Sequence, residues 1–367
     1  MIGTALANLH ECRTKRRNFM KIAIVGCGAM GTVIGAFLTK NGCAVEMVDT
    51  YEAHVNKLNT EGAKIIGTVD MKVPVKAILP HQMEGIYDYI FLLTKQTAND
   101  AVLPKLLKHL GPESTVCTLQ NGVPEPYVAS YVGEDRTVGG TILWGATFIA
   151  PGVSELTQDL SRNDHLFEIG EIDGHLSERI EKVRDILNHM GNTKVSTALM
   201  DSRWGKLINN ACMSGMSAAI GGTFGEVLDH EVARHCLSYL GYEVKQCCEA
   251  AGHTLPMLLH EQSPLSLAIE DQKMFEANQE MFLTMYSDMR TAKASMLQDL
   301  EKNKKTEVKM INGFVCDMGD KYNIDTPFND KVVEIITKIE NGELPLSSEN
   351  TQFFNTKDFI YKHSTKA

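Results

Sequence analysis

Lys206, Asn210 and Ser214 fall at four-residue spacing in an otherwise apolar helical pattern that includes Leu207, Ile208, Ala211 and Met213. Residues four apart share a helix face. A Lys-Asn-Ser stripe there is not a packing solution; it suits the wall of a cleft better than a merely solvated face. A second set is Gly26-Cys27-Gly28-Ala29-Met30-Gly31, with Asp49 18 positions after Gly31. Glycines spaced in this way between a strand and a helix, with an acid about 20 residues on, form a dinucleotide fingerprint. Gly26 permits the tight turn, Gly28 lets the backbone approach a pyrophosphate, and Gly31 lets helix and strand pack closely. The helix N-terminus adds free N–H groups and a positive dipole end. Asp49 would accept hydrogen bonds from an adenosine ribose and repel a 2′-phosphate, favouring NADH over NADPH. The plainer alternative is that Asp49 starts a loop. His54 and Lys57 remain near enough in sequence to reach a phosphate.

These residues need a scaffold. Met20–Val25 reads as a buried strand, 31–39 as a helix stopped at Asn41-Gly42, and Ala44–Val48 as a second strand. Tyr87–Leu93 is a third strand, ending at Lys95; a helix follows through Leu110. Thr115–Leu119 is a fourth strand, ending at Gln120-Asn121-Gly122. Ligands of open parallel sheets sit beyond the carboxyl ends of strands, where Lys95 and Asn121 fall. Lys95 could meet a cofactor phosphate or a substrate carboxylate, or be a loop lysine; Asn121 could be a turn residue. Further strands are read at Val138–Leu143, Ala146–Ile149, Leu166–Ile169 and Lys194–Thr197, with a helix over 176–190. From about 199 onward helical spacing dominates, over 200–220, 226–252, 267–300 and 306–321. The expected fold is α/β: an N-terminal Rossmann doubly wound parallel sheet over 20–195, then an all-α substrate and dimerisation domain over 196–345. Residues 346–367 form a tail, whose Phe353, Phe354, Phe359 and Tyr361 would cover the cleft or join a homodimer. Residues 1–19 read as a disordered extension, with Met20 as an alternative start.

Size and composition agree. A chain of 367 residues with 43% hydrophobic and 22% charged residues suits two globular domains. No apolar run reaches the ~18 residues of a membrane span. A net charge of −10 does not favour nucleic acid or anionic lipid. Nine cysteines, an odd number without a Cys-x-x-Cys pair, point to free thiols in a reducing cytosol, hence a cytoplasmic protein. The eighteen methionines suit adaptable core packing. The histidines show no ligand pair in a helical setting, so no metal is expected.

The order Gly-Cys-Gly-Ala-Met-Gly, Gln120-Asn121-Gly122, Trp204-Gly205-Lys206-Leu207 with Asn210, Ser295-Met296-Leu297-Gln298-Asp299 and Thr306-Glu307 with Ile311-Asn312-Gly313 resembles the ketopantoate reductase family, from Met20 to about residue 340. Ser295 and Glu307 do not stand out without this resemblance. It implies NAD(P)H-dependent reduction of a 2-oxo acid, foremost 2-dehydropantoate to (R)-pantoate in pantothenate biosynthesis, in a cleft between the two domains. Lys206 would be the general acid, and Glu307 would hold the substrate hydroxyl and keep Lys206 placed and charged. Asn121 and Asn210 would position substrate and nicotinamide, and Ser295 would take the substrate carboxylate. Lys95 would stand at the cofactor–substrate junction. Two departures matter. Thr50 stands where the family usually carries an arginine suited to a 2′-phosphate, which again favours NADH. Ser214-Gly215-Met216-Ser217-Ala218 replaces a common Asn-Pro-Leu-Thr-Ala, so that Ser214 takes the place of a substrate-facing asparagine. A reductase of a different 2-oxo acid is therefore the first alternative, and a catalytically silent nucleotide sensor the second. The 3-hydroxy acid dehydrogenases share the plan but lack the Thr-Glu segment.

Overall fold

The computed structural model of the protein describes residues 20–255 and 267–356. The extension 1–19 and the tail residues Phe359 and Tyr361 lie outside the described residues.

The N-terminal half is built on an eight-stranded sheet. Its strands are β1 (Ile22–Val25), β2 (Val45–Val48), β5 (Lys76–Ile78), β6 (Tyr87–Leu92), β7 (Leu110–Thr118), β8 (Thr137–Ile142), β11 (Phe167–Gly170) and β12 (Thr193–Val195). The order is β12-β11-β8-β7-β6-β1-β2-β5. All neighbours are parallel except β8 and β11. β1 is buried throughout and has β2 on one side and β6 on the other. The chain order therefore reverses at β1, which opens a crevice at the strand ends. Helices α1 (Ala29–Lys40), α2 (Glu52–Glu61), α3 (Asn99–Leu106), α4 (Glu125–Val132) and α5 (Glu178–Leu187) accompany the strands. β7 starts at Leu110, earlier than expected, because α3 ends at Leu106.

A second, four-stranded sheet was not foreseen. Its order is β4 (Met71–Val73), β3 (Ala63–Gly67), β10 (Val153–Leu156) and β9 (Ala146–Ala150). Buried His54 of α2 helps tie it down: Nδ1 accepts from the Gly152 N–H at 2.9 Å, and Nε2 lies 3.1 Å from Thr32 Oγ1. Both ring nitrogens are thus committed, and Lys57 pairs with Glu61. His54 is therefore not free to serve as the phosphate contact considered from the sequence, whereas the Lys57 pair is an exposed one.

β12 ends at Val195 and helices follow: α6 (Leu199–Asn209), a π turn (Asn210–Ser214), α7 (Gly215–Ile220), α8 (Phe224–Asp229), α9 (Glu231–Ala250), α10 (Gln272–Met285), α11 (Ser295–Glu301), α12 (Val308–Tyr322) and α13 (Pro327–Glu340). A capping box between Thr223 and Glu226 starts α8, and His230 caps α9, so the segment read as one helix over 226–252 is two. The segment over 267–300 likewise divides into α10 and α11. Trp204, Met213, Met216, Tyr239, Phe275 and Phe328 form part of one apolar core. No helix among the described residues is long and apolar enough to cross a membrane.

The described part of the tail does not cover the cleft. Phe354 is buried and stacks on Phe328, with ring centroids 6.4 Å apart, and Asn350 Nδ2 donates to the Ala219 carbonyl at 3.0 Å. Apolar side chain and backbone partner are both supplied by the chain's own helices; Phe353 is exposed.

Candidate active site

The glycine turn has the geometry its sequence demands. Gly26 has φ +97°, and a Cβ there would lie 2.4 Å from the Thr94 nitrogen. A Cβ on Gly31 would lie 2.2 Å from the Gly26 carbonyl oxygen, whereas one on Gly28 would meet nothing within 4 Å. Gly26 and Gly31 close the packing, and Gly28 faces open space. Ala29, Met30 and Gly31 are the first residues of α1, where N–H groups lack partners within the helix. Cys27 is wholly buried; its thiol points inward to the Ile24 carbonyl, and burial pushes its pKa well up. Its backbone N–H donates to Asp49 Oδ2 at 2.8 Å, and the Tyr51 N–H donates to Oδ1 at 2.9 Å. Each carboxylate oxygen still has a lone pair for a hydroxyl. A cleft of about 730 Å³ opens here, lined by Gly26, Asp49, Thr50, Thr94 and Lys105 among others. The space at Gly28, the α1 N-terminus and the Asp49 carboxylate together fit a dinucleotide.

Lys206 stands on α6 beside the end of β8. Its ammonium donates to the Ile142 carbonyl at 2.9 Å. Burial, helped by the charge of Arg203, lowers its pKa to about 7. Beyond Lys206 the helix widens into the π turn Asn210–Ser214. Each four-residue step on an α-helix drifts by roughly 40°. A π turn advances less per residue, which offsets the drift and brings Ser214 back toward the Lys206 side. Asn210 Nδ2 is buried without a hydrogen-bond partner, while Ser214 is half-buried. An orphaned buried donor beside a cationic acid is suited to an oxygen-bearing ligand.

Glu307 and Lys95 come from opposite halves. Glu307 is buried just before α12, and its Oε1 accepts from the Gln96 N–H at 2.8 Å. Burial raises its pKa, opposed by the Gln96 hydrogen bond and the charge of Lys95. Lys95 forms an ion pair with Asp299 of α11. Gln96 Nε2 donates to the Asn121 carbonyl at 2.5 Å, joining the loops after β6 and β7. The Asn121 side chain itself is half-buried. Ser295, the first residue of α11, is exposed. The Lys206–Glu307 pairing implied by the resemblance is not formed: the Lys206 ammonium is held by a carbonyl, and the lysine acting on Glu307 is Lys95. The Ile142 carbonyl takes the Lys206 ammonium, and the Gln96 N–H takes Glu307 Oε1, leaving Oε2 for another donor.

Sequence reasoning missed three supports. Arg203, wholly buried, binds Glu125 and the carbonyls of Thr118 and Gln120. Gln120 Nε2 reaches the Thr94 carbonyl at 2.8 Å and Asn99 Oδ1 at 2.7 Å. Asn312 Nδ2 donates to the Ala211 carbonyl inside the π turn at 3.0 Å and to Asn329 Oδ1 at 2.9 Å. In the sequence Asn312 is one residue of the Ile311-Asn312-Gly313 segment, with nothing to mark its role. An arginine three residues before a lysine on an apolar helix was the available signal for Arg203.

The profile described as Ketopantoate reductase PanE/ApbA matches residues 22–172, and the one described as Ketopantoate reductase PanE/ApbA C terminal matches 198–340. The chain belongs to the ketopantoate reductase family. It is an oxidoreductase of the 2-dehydropantoate 2-reductase type. Similar curated proteins include 2-dehydropantoate 2-reductase of Pyrococcus horikoshii, 28% identical over 312 residues, covering 84% of this chain and 94% of that protein. The enzyme of the same name from Streptococcus pyogenes serotype M3 is 26% identical over 325 residues, covering 86% and 97%. Among solved structures, D-mandelate dehydrogenase with NADH and anilino(oxo)acetate has a TM-score of 0.75 at 22% identity, covering 88% of this chain and 99% of that one. A PanE/ApbA family ketopantoate reductase from Ralstonia eutropha JMP134 gives 0.74 at 21% identity, with the same coverage. These two structures share the fold of this chain.

Proposed function

We propose that this ketopantoate reductase family member reduces a small 2-oxo acid to the 2-hydroxy acid with a nicotinamide dinucleotide, in the cleft between residues 20–195 and 196–345. The observation that carries this reading is the Lys206 ammonium, with a pKa lowered to about 7 beside the orphaned Asn210 amide. An acid with a pKa near the working pH donates and regains a proton readily.

The bound cofactor supplies the hydride that adds to the carbonyl carbon. Lys206 gives its proton to the carbonyl oxygen, and its charge stabilises that oxygen as it becomes alkoxide-like. Asn210 Nδ2 donates to the same substrate, with Asn121 across the cleft. Glu307 accepts the substrate hydroxyl through the oxygen not used by Gln96. Ser295 and Lys95 receive the carboxylate, and Lys95 leaves Asp299 to do so. Gly26 through Gly31 cradle the pyrophosphate, and Asp49 takes the ribose hydroxyls. Asp49 together with Thr50 favours NADH.

2-Dehydropantoate is the first candidate substrate, given the names of the curated relatives. Ser214, shorter than asparagine, favours a second reading in which another 2-oxo acid is the better substrate. The D-mandelate dehydrogenase neighbour was solved with an oxo acid derivative and NADH, which supports including aryl oxo acids. The eight free cysteines among the described residues suit the cytosol. The test is loss of nicotinamide absorbance with 2-dehydropantoate and a panel of aliphatic and aryl 2-oxo acids, each with NADH and NADPH. Turnover of one of them is expected. Tight NADH binding with no turnover of any would instead favour a nucleotide sensor.

A further inference from the structure

Arg203 is a wholly buried charge, and so is its partner Glu125. Its Nε donates to Glu125 Oε1 at 2.6 Å, Nη1 to the Gln120 carbonyl at 2.7 Å and Nη2 to the Thr118 carbonyl at 3.1 Å. Room for the pair is made by Gly139 of β8, where a Cβ would lie 2.2 Å from Glu125 Oε1. The two carbonyls belong to the end of β7 and the turn that leads into Asn121. Gln120 carries the clamp onward to Thr94 and Asn99, and Gln96 returns it to the Asn121 carbonyl. One guanidinium therefore fixes α6 against the loops after β6 and β7. Lys206 follows Arg203 by three residues, just under one helical turn.

We propose that Arg203 is a positioning residue for the reaction. It locks the helix of Lys206 to the turn of Asn121 and holds a permanent positive charge one turn from the Lys206 ammonium. This rests on the reading of Lys206 as the proton donor. A guanidinium stays protonated at any working pH, so its influence on a neighbouring acid is constant. The other charges around α6 have partners other than Lys206. β8 contributes no titratable side chain. Glu168 of β11 binds Ser202 and Lys194, and Glu171, just beyond it, binds Ser177 and Arg179. On α9, Glu243 is held by Phe328 and Asn329, and Lys245 by Glu249. Asp201 pairs with His253 at the other end of α6, and Glu307 is turned to Gln96. The charge that acts on Lys206 is Arg203.

Three variants test this: Lys206→Ala, the double variant Arg203→Met with Glu125→Gln, and Arg203→Lys. The double variant leaves no lone buried charge. Its kcat should fall about 10-fold or more, and the alkaline limb of kcat, which reports the acid in the enzyme–substrate complex, should move up by on the order of one pH unit. Arg203→Lys keeps a cation opposite Glu125 but cannot span both carbonyls. It should lose kcat while its limb stays near that of the wild type, and it decides the matter if the double variant does not fold. Wild-type kcat in Arg203→Lys, or a double variant that only melts lower, overturns the proposal. So does an Arg203→Lys limb displaced as far as that of the double variant. Undiminished turnover in Lys206→Ala would instead remove the proton-donor reading itself.

Discussion

The Lys206 ammonium is held by the Ile142 carbonyl, 2.9 Å away at the end of β8, and has no carboxylate partner among the described residues. Its acidity is therefore set by burial and by the nearby Arg203 charge, both of which favour the neutral amine. Reduction needs the protonated form, which is depleted as the pH rises through about 7. Oxidation of the 2-hydroxy acid needs the neutral amine, which accumulates over the same interval. The kcat/KM profiles of the two directions should therefore mirror each other, the reduction limb falling and the oxidation limb rising with increasing pH. Parallel limbs in the two directions would remove Lys206 from proton transfer.

The glycines make a second, sharper contrast. Gly28→Ala adds a methyl where nothing lies within 4 Å, so the free protein should melt within about 1 °C of the wild type. The same methyl would occupy the approach proposed for the pyrophosphate, and NADH affinity should drop by roughly 10-fold or more. Gly31→Ala drives a Cβ to 2.2 Å from the Gly26 carbonyl oxygen and should cost both stability and affinity. Differential scanning fluorimetry paired with NADH fluorescence titration separates the two effects. A Gly28→Ala protein that binds NADH normally would mean that the pyrophosphate lies elsewhere.

The glycine turn and the strand ends carrying Lys95 and Asn121 were legible because each depends on local pattern: a β-branched run, a spaced glycine set, a helix stop. The second sheet was not. β3 is five residues that follow Gly62 and end at Gly67, both at positive φ, and it pairs with β10 nearly ninety residues on. No local period encodes that partner. The stripe of Lys206, Asn210 and Ser214 was readable from spacing, but the π turn that re-phases it is bonded by Asn312, a hundred residues away. Arg203 could be read only as a charge on an apolar helix; its partner Glu125 lies on α4 and its carbonyls on β7. Ser295 and Glu307 required the resemblance, since a serine at a helix start and a glutamate among lysines are ordinary on a surface.

Cofactor choice can be tested at Thr50. This residue is exposed and lines the cleft beside Asp49, whose two oxygens each already accept one backbone N–H. Thr50→Arg would place a guanidinium where a 2′-phosphate could be held bidentately. The KM for NADPH should fall about 10-fold, with the KM for NADH changing less than about 3-fold, because the contact proposed for Asp49 to the ribose would be retained. Steady-state kinetics with both cofactors gives the ratio. An unchanged ratio would mean that the adenosine ribose does not sit against this loop.

The π turn is supported from a neighbouring helix. Asn312 is wholly buried; its Nδ2 holds the Ala211 carbonyl and Asn329 Oδ1, and Asn329 Nδ2 in turn donates to Glu243 Oε2 at 2.7 Å. Glu243 is buried and also accepts the N–H groups of Phe328 and Asn329 at the start of α13. The direction of every bond in this chain is fixed by those N–H groups, so Asn329 cannot flip to accommodate a changed neighbour. Asn312→Asp keeps the shape but sets an oxygen against two acceptors. It should destabilise the fold by roughly 2–4 kcal/mol, the scale of two lost hydrogen bonds with their acceptors left buried. The π turn should then relax toward regular α-helix and rotate Ser214 away from Lys206. The KM for the oxo acid should rise about 10-fold while that for NADH stays within about 3-fold, since none of Ala211, Glu243, Asn312 and Asn329 lines the cleft at Gly26 and Asp49. Urea unfolding measures the first effect and initial-rate kinetics the second. A variant destabilised as expected with an unchanged oxo-acid KM would show that the Asn312 chain serves folding and not the placement of Asn210 and Ser214.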